Sequence, residues 1–330
     1  MKACALLGVT AVALVAFAAV AVVGFPQQPA QPVIGIITHP VDQCGPPPPG
    51  PTTYDQCVES FYARWLEAAG VRVVAIPYNA TADTQKWFLD RVNGVLFQGG
   101  GLGGQRLAEY VVMVERVLNY ALDRNGQGDH FVVWGTCQGF QVLAAAAARN
   151  VSVIQGPYAG MYPLMMPVNF TLAQPSSRML GDAACPSNVR EAMLTKNSTL
   201  NWHHSIIEPA SFTKYPSLGS TFTPLTSNIV AEGTQEFISA YEAPAAEVYA
   251  VQFHPERPPY EFSNDGIGHT ADDIAISEYL ARFIASRLKL NNHSFDSPAQ
   301  AEANRLARWP LVDRGWGVRS YYVSVGDPVQ

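Results

Sequence analysis

The sequence predicts an α/β protein with a mostly parallel central sheet and helices on both faces. Two observations carry this. Apolar runs of four to six residues alternate with stretches whose apolar positions recur at the helical period, the order of repeated strand–helix–strand units. These runs are continuous, whereas a strand with one wet face would alternate, so both faces of the sheet are expected to be covered. The composition agrees: 48% hydrophobic and 15% charged residues suit a folded globule better than a solvated, disordered chain.

Each element follows from local pattern. Val33, Ile34, Ile36 and Ile37 make the first buried-type strand. Residues 58–69 read as a helix, with Phe61, Trp65 and Ala69 at helical spacing and Gly70 where a left-handed terminating residue is wanted. A strand over 71–76, a helix near 84–92, a strand over 94–97 and a long helix near 109–124 come next. A strand at 131–134 then leads to an Ala-rich helix over 140–148. The middle, about 151–243, is less regular and richer in Ser, Thr and Pro. A strand at 248–253 and an amphipathic helix over 272–290 follow it, and the tail offers one terminal strand near 321–325. No internal repeat occurs. One domain over 26–330, with a carboxy-terminal extension from about 291, is the simplest organisation.

The first 25 residues stand apart. Lys2 is followed by no charged residue up to Phe25, and small residues at Ala16, Ala18, Ala19 and Ala21 have the spacing a signal peptidase accepts. This reads as a cleaved secretory signal, with an uncleaved single-span anchor as the alternative. After cleavage no stable membrane association is expected. Four cysteines remain beyond it. Cys44 and Cys57 bracket a proline-rich stretch that forms neither helix nor central strand, and a bridge between them is expected, leaving Cys185 exposed or paired elsewhere. Sequons at Asn79, Asn150, Asn169, Asn197 and Asn292 point to a glycosylated protein, secreted or held in a lysosome or vacuole lumen. With 21 Lys+Arg against 27 Asp+Glu and no dense basic run, nucleic acid is not an expected partner.

The sharpest chemical feature is Trp134-Gly135-Thr136-Cys137-Gln138-Gly139, where a buried strand passes into a helix. A nucleophile on such a turn is forced out of the sheet, flanking glycines let the backbone turn, and the helix N-terminus favours a thiolate. His254-Pro255-Glu256 ends a later strand on the same carboxyl edge, where open α/β sheets place their ligands. Glu256 can accept from the other ring nitrogen of His254 and fix its tautomer. Gly99, Gly100 and Gly101 close another strand at that edge and can supply oxyanion N–H groups, with Gln138 N–H as a second donor. No His-Glu-x-x-His or paired Cys-x-x-Cys occurs, so neither a metal nor any other cofactor is expected.

Gly-Thr-Cys-Gln-Gly-Phe-Gln, the Gly-Gly strand end and Gln-Phe-His-Pro-Glu resemble the class I glutamine amidotransferase superfamily. Pro32–Thr38, Leu66–Val74, Pro167–Thr171, Glu236–Ser239 and the segments around Tyr260 and Ile267 narrow the resemblance to the gamma-glutamyl hydrolases, over about residues 32–295. That resemblance implies a flavodoxin-like sheet, Cys137 as nucleophile, His254 as base and later acid, and Glu256 as the orienting carboxylate. It further implies Tyr62 near the substrate glutamate and His203, ahead of the neighbouring His204, closing over the site. A homodimer is compatible with it. The sequence departs from the family at two places: Gln98 stands where Pro usually precedes the Gly pair, and Gln141 where Glu often follows the elbow, close to the substrate. The expected reaction is hydrolysis of γ-glutamyl amides in folylpoly-γ-glutamates or related small molecules through a Cys137 thioester. The alternatives are an amidotransferase component of the glutaminase type and a non-catalytic secreted glycoprotein of the same fold.

Overall fold

The computed structural model describes residues 31–313 and 318–324. The leader expected over residues 1–25 lies outside the described residues, as does Val325 at the end of the last expected strand. In chain order the elements begin with β1 (Val33–Ile37), β2 (His39–Pro40), β3 (Gln56–Glu59), α1 (Ser60–Ala68) and β4 (Arg72–Ile76). Then come α2 (Ala82–Leu89), β5 (Gly94–Phe97), α3 (Gly104–Gly126), β6 (Val132–Thr136) and α4 (Gln138–Ala148). The middle holds β7 (Ile154–Gln155), β8 (Leu164–Met166), β9 (Asn169–Phe170), α5 (Ser187–Thr195), β10 (Thr199–Asn201) and β11 (Ile206–Ile207). After the short α6 (Ser211–Lys214) and α7 (Pro216–Thr221) come β12 (Thr223–Ile229), β13 (Glu236–Glu242), β14 (Val248–Val251) and α8 (Ala271–Leu288). The chain closes with α9 (Pro298–Ala303), β15 (Leu311–Asp313) and β16 (Arg319–Val323).

Eight strands form the main sheet in the order β4-β1-β5-β6-β14-β13-β12-β9. The first five run parallel, and β13, β12 and β9 extend the sheet antiparallel. The irregular middle therefore supplies three strands to one end of the sheet, β13, β12 and the edge strand β9. Both-face burial is visible residue by residue. Val33, Ile37, Val95, Phe97 and Val133 join one core with α3 and α4 residues, while Ile34, Ile36, Leu96, Val132 and Trp134 join the other with α1 and α8 residues. In that second core Trp65 packs against Trp134 at 5.8 Å between ring centroids. Burying each such side chain contributes roughly 1.5–3 kcal/mol.

The local signals placed most elements, with shifted ends. Gly70 closes α1 at φ +83°, as its position requires. The expectation of helix from residue 58 is corrected: Gln56–Glu59 is strand, and the helix starts at Ser60. The reason is tertiary. β3 pairs antiparallel with β2 and with the tail strand β16, Tyr322 opposite Cys57, and those ladder bonds hold Val58 and Glu59 extended.

Cys44 and Cys57 are bridged, with Cα atoms 6.1 Å apart, and Tyr322 donates its hydroxyl hydrogen to the Cys44 carbonyl at 3.1 Å. Cys185 is neither exposed nor paired. It is a free, buried thiol, pushed up to about 11 by burial. All five sequon asparagines are exposed.

Candidate active site

Cys137 sits between β6 and α4 at φ 55° and ψ −108°, a backbone conformation rare for any residue but glycine. Its neighbours hold it there. A Cβ at Gly139 would collide with the Phe97 carbonyl, and one at Gly135 would stand 2.7 Å from the Gly139 carbonyl oxygen. The Cys137 N–H donates to Val251 O at 2.9 Å, which ties the elbow to the end of β14. Cys137 is also the N-cap of α4, so the helix dipole is directed at the sulfur.

His254 follows β14 and donates its backbone N–H to Leu200 O of β10 at 2.8 Å. Its Nδ1 lies 2.7 Å from Glu256 Oε1, both side chains buried. Because the carboxylate only accepts, Nδ1 carries the hydrogen and Nε2 is left for chemistry. Burial alone would push His254 down. The Glu256 charge, the Cys137 charge and a side-chain hydrogen bond with Cys137 outweigh burial and raise His254 to about 10. Glycine is required where these groups meet: a Cβ at Gly99 would lie 3.0 Å from His254 Cε1 and 3.2 Å from Cys137 Cβ.

The Gly99–Gly101 loop is fixed by side chains. Gly99 N–H donates to Tyr62 Oη at 2.8 Å, and Gly101 N–H donates to Gln43 Oε1 at 2.8 Å. Gln138 grips the next residue twice, accepting from Leu102 N–H at 3.0 Å and donating to its carbonyl at 2.9 Å. Gln98 replaces a rigid proline by a clamp. Its Nε2 donates to Ile37 O and Cys57 O at 3.1 and 3.2 Å, and its Oε1 accepts from Glu59 N–H at 3.1 Å.

Cys137, His254, Gly99, Gly100 and Gly101 line one cavity of about 330 Å³. Other predicted residues stand behind its wall. Tyr62 is fully buried, and its hydroxyl holds the loop. Gly99 therefore gives its N–H to Tyr62 and not to the cavity. Gln138 is the first residue of α4, so its N–H has no intrahelical acceptor.

His203 is also corrected from a residue closing over the site to one inside the wall. Its Nδ1 lies 2.9 Å from Ser205 O, its Nε2 3.1 Å from Asn201 Oδ1, and its ring is edge-on to Phe237. Burial drives it down to about 3, so it is neutral. His204 is exposed and packs against Tyr162, the rings tilted and their centroids 4.3 Å apart. Gln141 does not reach the cavity either: its Nε2 donates to Ser205 O at 2.8 Å and to Gln252 Oε1 at 3.1 Å, tying α4 to the histidine loop.

Sequence reading missed His39, Glu59, Trp202, Tyr162 and Arg257, all in the cavity wall. Arg257 joins Glu59 at 2.7 Å and Glu261 at 2.5 Å, and its guanidinium lies over the Phe61 and Trp202 rings. Its position next to the His-Pro-Glu triplet was the one available signal.

Fold and site define the class. This is an α/β protein of the class I glutamine amidotransferase type, and the family model "Glutamine amidotransferase class-I" matches residues 53–267. Among solved structures, a putative GMP synthase protein from Thermoplasma acidophilum aligns with a TM-score of 0.45 and 18% identity, covering 80% of this chain and 98% of that one. Among curated proteins the chain is 32% identical to gamma-glutamyl hydrolase of Homo sapiens, covering 78% of this chain and 79% of the relative. It is 31% identical to gamma-glutamyl hydrolase B of Dictyostelium discoideum (80% and 74% covered) and 28% identical to gamma-glutamyl hydrolase 1 of Arabidopsis thaliana (78% and 72%). The chain belongs to the gamma-glutamyl hydrolase family and is an enzyme of that hydrolytic type.

Proposed function

We propose that the protein hydrolyses γ-glutamyl amide bonds of folylpoly-γ-glutamates or related conjugates through a Cys137 thioester. The observation that carries this is Cys137 on its strained elbow, in one cavity with a His254 that Glu256 holds at 2.7 Å. With His254 raised to about 10, the imidazolium persists through neutral pH and supports a thiolate beside it. The thiolate attacks the γ-carbonyl carbon and forms the C–S bond. The developing oxyanion takes hydrogen bonds from Gly100 and Gln138 N–H, each worth roughly 3 kcal/mol at the transition state. The imidazolium Nε2–H protonates the departing amine as the C–N bond breaks. The neutral ring then removes a proton from water, which attacks the thioester and returns the thiolate. Glu256 keeps Nδ1 protonated throughout.

Arg257 and Glu59 in the wall offer opposite charges, which suits a substrate glutamate with its own carboxylate and amide groups. We place the protein in the secretory pathway, in the lumen of a lysosome or vacuole or outside the cell. The Cys44–Cys57 bridge and five exposed sequon asparagines support that reading. The test is a product assay with a pteroyl-poly-γ-glutamate. The parent is expected to release glutamate or short γ-glutamyl peptides, and folded Cys137→Ala to release none. Turnover by that variant would remove Cys137 as nucleophile.

A further inference from the structure

Three carboxylates surround one guanidinium beside the catalytic pair, and one of them opens to the cavity. Arg257 Nε lies 3.4 Å from His254 Nδ1 and 3.6 Å from Glu256 Oε1. Its terminal nitrogens reach Glu261 at 2.5 Å and Glu59 at 2.7 Å. The side chains of Glu256 and Glu261 are fully buried. That of Glu59 keeps 17% of its surface and lines the cavity together with Arg257 and Cys137.

Both groups are held in place. The Arg257 guanidinium lies over the rings of Phe61 and Trp202, 5.3 and 5.0 Å from their centroids. Glu59 is the last residue of β3, and its N–H donates to Gln98 Oε1 beside the Gly99–Gly101 loop. A pair fixed in this way reads a ligand's charges at little ordering cost. A γ-glutamyl group on Cys137 has its α-carbon three bonds from the reacting carbonyl, and that carbon carries a carboxylate and a nitrogen. The nitrogen is a neutral amide in an acylated head and an ammonium in a head whose amine is free. Arg257 is the one Lys or Arg among the described residues lining the cavity, whose remaining acid, Asp42, is already paired with Arg106. A head bearing only a carboxylate adds a further negative charge to the acids clustered on Arg257, whereas a zwitterionic head adds no net charge.

We propose that Glu59 makes the site selective for γ-glutamyl compounds whose α-amino group is free. The α-carboxylate of the head lies on Arg257 and the α-ammonium on Glu59, so that the two ion pairs form a ring of alternating charge. Both contacts are then charge-assisted hydrogen bonds, about twice as strong as neutral ones. An N-acylated head keeps the contact with Arg257 but sets a neutral N–H against the Glu59 carboxylate. The bond that is cleaved is the same in both cases, and Glu59 sets which heads are preferred. The proposal rests on the γ-glutamyl hydrolase reading of Cys137.

The test uses two chromogenic probes that differ only at the α-nitrogen, γ-glutamyl-p-nitroanilide and its N-acetyl derivative, with release of p-nitroaniline read as kcat/KM. At mildly acidic pH the parent is expected to favour the free amine at least about tenfold. Glu59→Gln, which keeps the shape of the side chain, should reduce that ratio about fivefold or more, chiefly through a higher KM for the free-amine probe. A second measurement needs no variant. The parent's ratio should fall toward one as pH rises through the titration of the probe's own α-amine, which the acetyl probe lacks. Thermal melting shows whether Glu59→Gln is folded, and if it is not, the pH dependence of the ratio decides.

A parent ratio near one at every pH, a ratio that does not fall as the amine titrates, or a ratio that folded Glu59→Gln leaves in place would overturn the selectivity. The reading on which it rests fails in a different way. Release from neither probe by folded parent removes the hydrolase assignment and the selectivity with it, while equal release from both keeps the hydrolase and removes the role of Glu59 alone.

Discussion

Glu256→Gln keeps the shape of the site and removes one charge. In the parent, His254 is raised to about 10, with burial opposing the rise and Glu256 the largest contribution in its favour. The pair is 2.7 Å apart, and both side chains are almost fully enclosed. A hydrogen bond to a charged group is worth about 1.5–3 kcal/mol against about 0.5–1.5 for a neutral one, a difference of about one pH unit of His254 titration. The sign is set by which form acts. The imidazolium is the working acid, so activity falls as pH rises through the His254 value. In Glu256→Gln the alkaline fall of kcat/KM should move from about pH 10 to about pH 9. Loss of a fixed tautomer should also cost about tenfold in kcat/KM at pH 7. The assay is a pH profile on a γ-glutamyl dipeptide, beside the rate of iodoacetamide reaction at Cys137 over the same range. An alkaline limb that stays in place in both profiles would refute the coupling of Glu256 to His254 as the source of the raised value.

Three further expectations follow from other contacts. Gln98→Ala strands the Glu59 N–H and two carbonyls that the side chain now satisfies; we expect a loss of about 2 kcal/mol in denaturant unfolding and a larger fall in kcat than rise in KM, because the Gly99–Gly101 loop loosens. Glu247 is held down to about 2: burial works against this, but hydrogen bonds from Arg287 and Tyr249 and the charge of Arg178 outweigh it. With the folded value below the unfolded 4.5, its stabilisation is present above that pH and drains away as pH falls toward 2, and Glu247→Gln should flatten that part of a melting-temperature-versus-pH curve. Replacing Cys44 and Cys57 together by Ser opens a loop with a separation of 13 residues, which should cost about 3 kcal/mol and raise KM, since Asp42, Gln43 and Cys44 lie in the cavity wall.

Which parts of this molecule could be read without coordinates follows from the range of the forces involved. The parallel strands β1, β4, β5, β6 and β14 were legible because strands buried on both faces leave an unmistakable local run of apolar residues. The Cys137 elbow was legible because a turn of that shape needs glycine at 135 and 139 wherever it is built. His254 and Glu256 are two residues apart, so their pairing is nearly a local event.

Only the tertiary structure decided the rest. Val58 and Glu59 became strand because β16, more than 250 residues later, pairs with them. His203 and His204 are adjacent in sequence, yet one is buried between Asn201 and Ser205 and the other is exposed on Tyr162; no local pattern tells which way a loop residue will face. Gln98 read only as a departure from the usual Pro and proved to be the clamp of the loop, because its partners Ile37 on β1 and Cys57 and Glu59 on β3 are brought to it by folding. Backbone propensity and hydrophobic period act over a few residues and are written into the chain directly. The direction a buried polar side chain takes depends on which donors and acceptors folding brings to it, and these come from anywhere in the chain.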